Sequence, residues 1–155
     1  MGKTENQLKY ENYKEQFGRL NKALANGFNL EAVFIEYSIM EDRTESILRH
    51  AGKWDEYVKS RKGRDVTIDS KIRKIQKLAE YKKDLLHRYF SDDLLDRIIE
   101  WKEGRNRMIH ALLKQQFEND EIAVFVAKGK ELAVVLRNRA GNYIRAIERR
   151  ERQSI

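Results

Sequence analysis

Proline is missing from this 155-residue chain. Proline breaks helix interiors, so its absence points to long uninterrupted helices. Cysteine is missing as well. That excludes disulfides, thiolate metal sites and a cysteine nucleophile, and it fits a reducing cytosol. The three histidines are scattered, which argues against a histidine-rich metal site. No apolar run approaches the roughly 18 residues of a membrane span, so no membrane partner is expected. The first residues, MGKTENQLKY, lack the apolar segment of a signal peptide. Asn6 stands where a myristoylation signal has Ser or Thr. A glycine-rich phosphate loop, an H-E-x-x-H helix and a metal-spaced set of carboxylates are all lacking, so no cofactor or metal is expected.

What is present is charge. Lys and Arg number 32 against 25 Asp and Glu, giving a net charge of +7 and a pI of about 9.5. Such a balance favours polyanionic partners, RNA above all; the plain alternative is a solvated helical surface that happens to be basic.

The length suits one domain, with its core over about residues 5–149. Apolar spacing gives five helical segments. The first runs from about Glu5 to Ala25, with Tyr10, Tyr13, Phe17, Leu20 and Leu24 on one face, and stops at Gly27. The second runs from Leu30 to about Ala51, with Asn29 as N-cap and Gly52 at its end. Residues 53–66 have no clear period and read as a mobile loop. The third runs from about Ile68 to Phe90. The fourth starts around Ser91, Asp92 and Asp93 and continues to about Phe117. The fifth spans Ile122 to about Arg149 and ends in a frayed tail. Val124, Val134 and Val135 give the fifth segment a second apolar side, which needs burial on two sides or a second chain. The fold class is all-α, an up-down helical bundle with short connections.

One stretch of the fourth segment, EGRNRMIHALL, interrupts this pattern. On a wheel of about 100° per residue, Arg105 falls about 20° from Ile98, the centre of the apolar stripe. A buried arginine requires a partner. Asn106 sits at the stripe's edge and His110 one turn further along that edge. In the second segment Glu41 takes a slot of the seam made by Phe34, Tyr37 and Leu48. Glu41 and Arg105 are therefore expected to lie close together. One reading makes them an ion pair that fixes helix register, with His110 a bystander. The other makes Arg105, Asn106 and His110 the lining of a polar cleft that handles phosphate. Guanidinium offers a planar, permanently charged fork for phosphate oxygens, and imidazole moves protons near neutral pH. Residues five apart point about 140° from each other, so a straight helix cannot bring Arg105 and His110 onto one atom. Long side chains converging at a cleft mouth, or a second copy of the helix, would be needed. His50 and His87 read as ordinary surface residues.

Arg105-Asn106-x-x-x-His110 resembles the signature of the HEPN superfamily, an arginine followed after four to six residues by a histidine, often with a polar residue after the arginine. The resemblance covers roughly Leu30 to Arg149, and only the motif is specific. A second match to the bare pattern, Arg43 and His50, lacks the asparagine and reads as accidental. The resemblance implies an up-down bundle of four to five helices with the motif in a late helix. It further implies a metal-independent endoribonuclease with no cofactor, acting as a homodimer with two motifs facing across the interface. Toxin–antitoxin modules and phage defence are the settings it implies, with a cognate antitoxin or a nucleotidyltransferase chain as partner. The implied catalytic residues are Arg105, Asn106 and His110, with Glu41 positioning Arg105. Lys102 and the basic loop residues Lys59, Arg61, Lys62 and Arg64 are the expected RNA contacts.

Two other readings compete. One is a non-catalytic nucleotide- or RNA-binding module of the same fold. The other is a regulatory protein working through a helical interface.

Overall fold

A computed structural model of the chain describes residues 2–112, 114 and 119–154. Among them lie seven helices and no strand: α1 (Glu5–Ala25), α2 (Asn29–His50), α3 (Trp54–Ser60), α4 (Ile68–Ala79), α5 (Leu85–Phe90), α6 (Leu94–Leu112) and α7 (Asn119–Gln153).

The first helix runs as its sequence predicts. Thr4 opens it with a capping box: its hydroxyl accepts from the Gln7 amide, and the Gln7 side chain accepts from the Thr4 amide. Gly27, at a φ of +70° that most residues avoid, ends the turn after it. Asn29 is not the N-cap of α2. Phe28 holds that position without a side-chain hydrogen bond, and Asn29 is the first helical residue.

Two corrections concern the middle of the chain. Residues 53–66 are not simply a loop, because Trp54–Ser60 forms α3 and buries Tyr57. The expected helix from Ile68 to Phe90 is two helices. The first begins with a capping box between Thr67 and Ser70. The second begins where Asp84 accepts from the Leu86 amide at 2.9 Å. His87 secures the join, since its Nδ1 lies 2.8 Å from the Ala79 carbonyl at the end of α4. It is half-buried rather than a plain surface residue.

At the other end, α7 continues to Gln153, so the tail expected to fray is helical. At about 1.5 Å per residue this 35-residue helix is roughly 52 Å long. Its second apolar side is only partly covered: Val134 and Val135 are half-buried, while Val124 is 73% exposed. The expected end of the fourth segment, at Leu113 and from Gln115 to Phe117, lies outside the described residues.

The middle of the bundle is α2, which packs against α1, α3, α4 and α7. It therefore buries residues around most of its circumference, including Val33, Ile39, Met40, Ile47 and Leu48. Phe34, expected on its inner seam, is 54% exposed. Leu20, Ile72, Ile75, Phe90, Ile98 and Leu136 complete the core from the surrounding helices. Each such side chain contributes about 1.5–3 kcal/mol by leaving water.

Candidate functional site

Arg105 stands where the apolar spacing of α6 puts it, on the inner face between Trp101 and Met108, both buried. It is half-buried itself. Its guanidinium carbon lies 3.8 Å from the centroid of the Tyr37 ring. A cation over an aromatic face at that distance is worth about 0.5–2 kcal/mol. The ring thus gives the charge a soft partner that leaves the edge of the guanidinium fork open to other acceptors. One Nη donates to Asn106 Oδ1 at 3.0 Å. The Nε is buried and has no hydrogen-bond partner among the described residues.

Asn106 therefore holds one edge of the arginine fork. His110 is exposed in the last turn of α6, one turn beyond Asn106, and makes no side-chain hydrogen bond among the described residues. All three motif residues lie along the C-terminal half of one helix, with Arg105 facing in and His110 facing out.

Arg105 and Glu41 do not pair. Both lie near enough to Tyr37 to act on it, but each finds a different partner. Glu41 lies 3.7 Å from the ammonium of Lys71, which also donates to the Glu41 backbone carbonyl at 3.0 Å. Lys71 is only 3% exposed. Burial holds its pKa below the ordinary lysine value, with Glu41 opposing. A second pair flanks the same ring: Lys102 donates to Asp69 Oδ2 at 2.7 Å. The other Asp69 oxygen is buried without a hydrogen-bond partner among the described residues. Burial raises the Tyr37 pKa, Glu41 and Asp69 add to that, and Arg105 works against it. The site is thus one tyrosine ring carrying Arg105, with two lysine–carboxylate pairs around it.

Of the expected RNA contacts, Lys102 is engaged in that ion pair and its side chain is 15% exposed. Lys59, Lys62 and Arg64 are exposed around the turn after α3. Arg61 folds back, donating from Nε and Nη to the Asp65 carbonyl at 3.1 and 2.7 Å.

The sequence pattern missed the acid that is fully buried. Glu36, on α2, is 0% exposed, and neither of its carboxyl oxygens has a hydrogen-bond partner among the described residues. It lies against Trp101 of α6 and Gly129 of α7. Burial pushes its pKa up to about 9, against the pull of Lys130. A Cβ at position 129 would come within 2.6 Å of Trp101 Cζ2 and closer still to Glu36 Oε2, so the contact requires glycine there. Gly104 allows the matching approach on α6, where a Cβ would meet the Phe125 ring at 2.9 Å. Trp101 stacks on Phe125 with centroids 5.1 Å apart and donates to its carbonyl at 3.2 Å. This joint seats the helix that carries the motif.

The second arginine–histidine match dissolves in three dimensions. Arg43 does not project off the apolar stripe of α2 beside His50. It is buried, stacked on Tyr13 at 4.4 Å, and donates to Tyr13 and Asp42. His50 is exposed, with Nδ1 2.8 Å from the Ser46 carbonyl.

Among the described residues no group of three His, Asp or Glu could hold a metal ion, and no helix is long and apolar enough to cross a membrane. Comparison with protein-family models, with curated proteins and with solved structures gives no match.

Proposed function

We propose that this chain is a metal-independent endoribonuclease of HEPN type. The observation that carries the reading is Arg105: a guanidinium on an apolar stripe, resting on Tyr37, with one buried N–H unpartnered among the described residues and a polar neighbour, Asn106, holding its fork. A register-setting ion pair would have placed a carboxylate against it. Instead the fork is held but not neutralised, which is what an oxyanion binder needs.

In the reaction the RNA 2′-OH attacks the adjacent phosphodiester. His110 takes the proton from the attacking hydroxyl or returns one to the departing 5′-oxygen. Arg105 stabilises the charge that builds on the phosphorane-like transition state. The products are a 2′,3′-cyclic phosphate and a 5′-OH. Arg105 and His110 diverge on a single helix, so the complete site is formed by a homodimer, with one His110 as base and its counterpart as acid. The resemblance supports a toxin–antitoxin or phage-defence role for such an activity, with an antitoxin or nucleotidyltransferase chain as partner.

The test is cleavage of a mixed RNA in EDTA by the wild type, Arg105→Ala and His110→Ala. Cleavage that survives EDTA and is lost in both variants is expected. No cleavage by the wild type, or equal cleavage by all three, would overturn the reading and leave a binding module.

A further inference from the structure

A cleft of about 640 Å³ opens between α1 and α7, away from the motif. Its α7 wall starts near Arg137, twelve residues beyond Phe125, which places it roughly 18 Å along the helix from the Trp101 joint. Its volume is in the range of sites that enclose whole small ligands.

The lining combines two chemistries. Tyr10, Tyr13 and Phe17 present aromatic rings from α1; Lys14, Arg137 and Arg145 present cations. Among the described residues no aspartate or glutamate lines it. The two chemistries are interleaved. The Arg137 guanidinium lies 4.4 Å over the Phe17 ring, bridging the helices. Arg43 lies 4.4 Å over the Tyr13 ring at the floor. Asp42 offsets the charge of Arg43 from the neighbouring groove, at 2.9 Å, and lies 3.9 Å from Lys9. Lys14, Arg137 and Arg145 have no carboxylate within ion-pair distance among the described residues. Amides hold two of these cations: Asn138 accepts from Arg137 at 3.1 and 3.2 Å, and Asn142 accepts from Arg145 at 2.6 Å. At the mouth Tyr10 is 71% exposed, an unusual place to leave a large ring.

From this arrangement we infer that the α1–α7 cleft binds single-stranded RNA without sequence preference, stacking a base on Tyr10 while the cations follow the phosphates. A polyanion alone would not use the ring. A duplex would keep its base faces inside its own stack, so the strand must be single and its bases free. The cleft is distinct from Arg105 and His110, and it explains the exposed Tyr10 ring that core packing leaves over. It would hold the strand that the motif cuts, yet the inference stands on the cleft's own geometry.

The experiment is fluorescence anisotropy with a labelled 2′-O-methyl uridine decamer. This strand has no 2′-OH to attack, so binding is read separately from cleavage. Tyr10→Ala removes only an exposed ring and is expected to weaken binding roughly 5-fold or more, the scale of one stacked base. Arg137→Gln with Arg145→Gln is expected to lower affinity and to flatten the dependence of log affinity on log salt by about 1.4, about 0.7 for each lost phosphate contact. Lys59→Gln with Arg64→Gln is expected to change little. Unchanged binding in Tyr10→Ala overturns the inference even if the arginine variant loses affinity, because the cleft is then a charged patch and nothing more. Loss confined to the Lys59 and Arg64 variant overturns it in favour of the loop. Failure of the wild type to cleave RNA would leave all these outcomes readable.

Discussion

Two charged residues of opposite sign sit seven apart on α2, on one face of the helix and about 10 Å apart along it. Both are buried: Glu36 is 0% exposed and Arg43 9%. Their surroundings differ completely. Arg43 meets a ring, a hydroxyl and a carboxylate, all from side chains placed to receive it. Glu36 meets an indole and a glycine backbone, and neither oxygen has a hydrogen-bond partner among the described residues. The protein accommodates Arg43 by supplying partners and accommodates Glu36 by favouring its protonated form. Burial of a charge on this helix thus has two solutions, and they have opposite consequences for stability.

The largest effect expected from this contrast is at Glu36. Its folded pKa, about 9, exceeds the ordinary 4.5. The folded state therefore holds a proton that the unfolded chain releases, and stability falls as pH rises through that window. At about 1.4 kcal/mol per pH unit the loss is on the order of 3 kcal/mol between about pH 5.5 and about pH 8. Glu36→Gln should abolish that slope and stabilise the protein at the alkaline end, read by urea unfolding at several pH values. A variant as steep as the wild type would break the contrast.

Arg43→Leu should act in the opposite direction, destabilising by roughly 1–3 kcal/mol, because it strands Tyr13 and Asp42. A stabilising result would show the Arg43 network to be no better than an apolar core. Gly129→Ala should destabilise by about 1–2 kcal/mol after the gain in helix propensity is counted, since the new methyl meets Trp101 and Glu36. Combining it with Glu36→Ala should recover part of that loss. The smallest effect concerns Asp42. Burial raises its pKa, but hydrogen bonds from Tyr13 and Arg43, with the charges of Lys9 and Arg43, bring it below the ordinary carboxylate value. Its contribution is present above that ordinary value and is lost as pH falls through the lowered one. Asp42→Asn should flatten the acid limb of the stability profile slightly.

How much of this was legible in the sequence follows from what each residue depends on. The bounds of α1 depend on local chemistry, Thr4 with Gln7 and then Gly27, and the sequence carries them. The inward position of Arg105 follows from one helix's periodicity and was readable. Its partner was not, because that depends on which helix packs where. Arg105 took the Tyr37 ring, and Glu41 took a lysine from α4 that no spacing rule matches to it. The single buried residue of α3, Tyr57, is too little to produce a period. Glu36 escaped notice because α2 is enclosed by several helices, so its inner surface is far wider than a one-sided stripe and takes in positions that look solvent-facing.

The seating of Trp101 has an optical consequence. The chain has two tryptophans. Trp54 is half-buried beneath the Arg49 guanidinium. The Trp101 indole and the Glu36 carboxyl both come within 2.8 Å of the point where a side chain at position 129 would begin. Emission from a Trp54→Phe protein would therefore come from an indole beside the buried proton, on the helix that carries Arg105 and His110. A colour change on raising the pH would report that proton leaving, and one on adding an oligonucleotide would report the joint between α6 and α7 shifting, without any label attached.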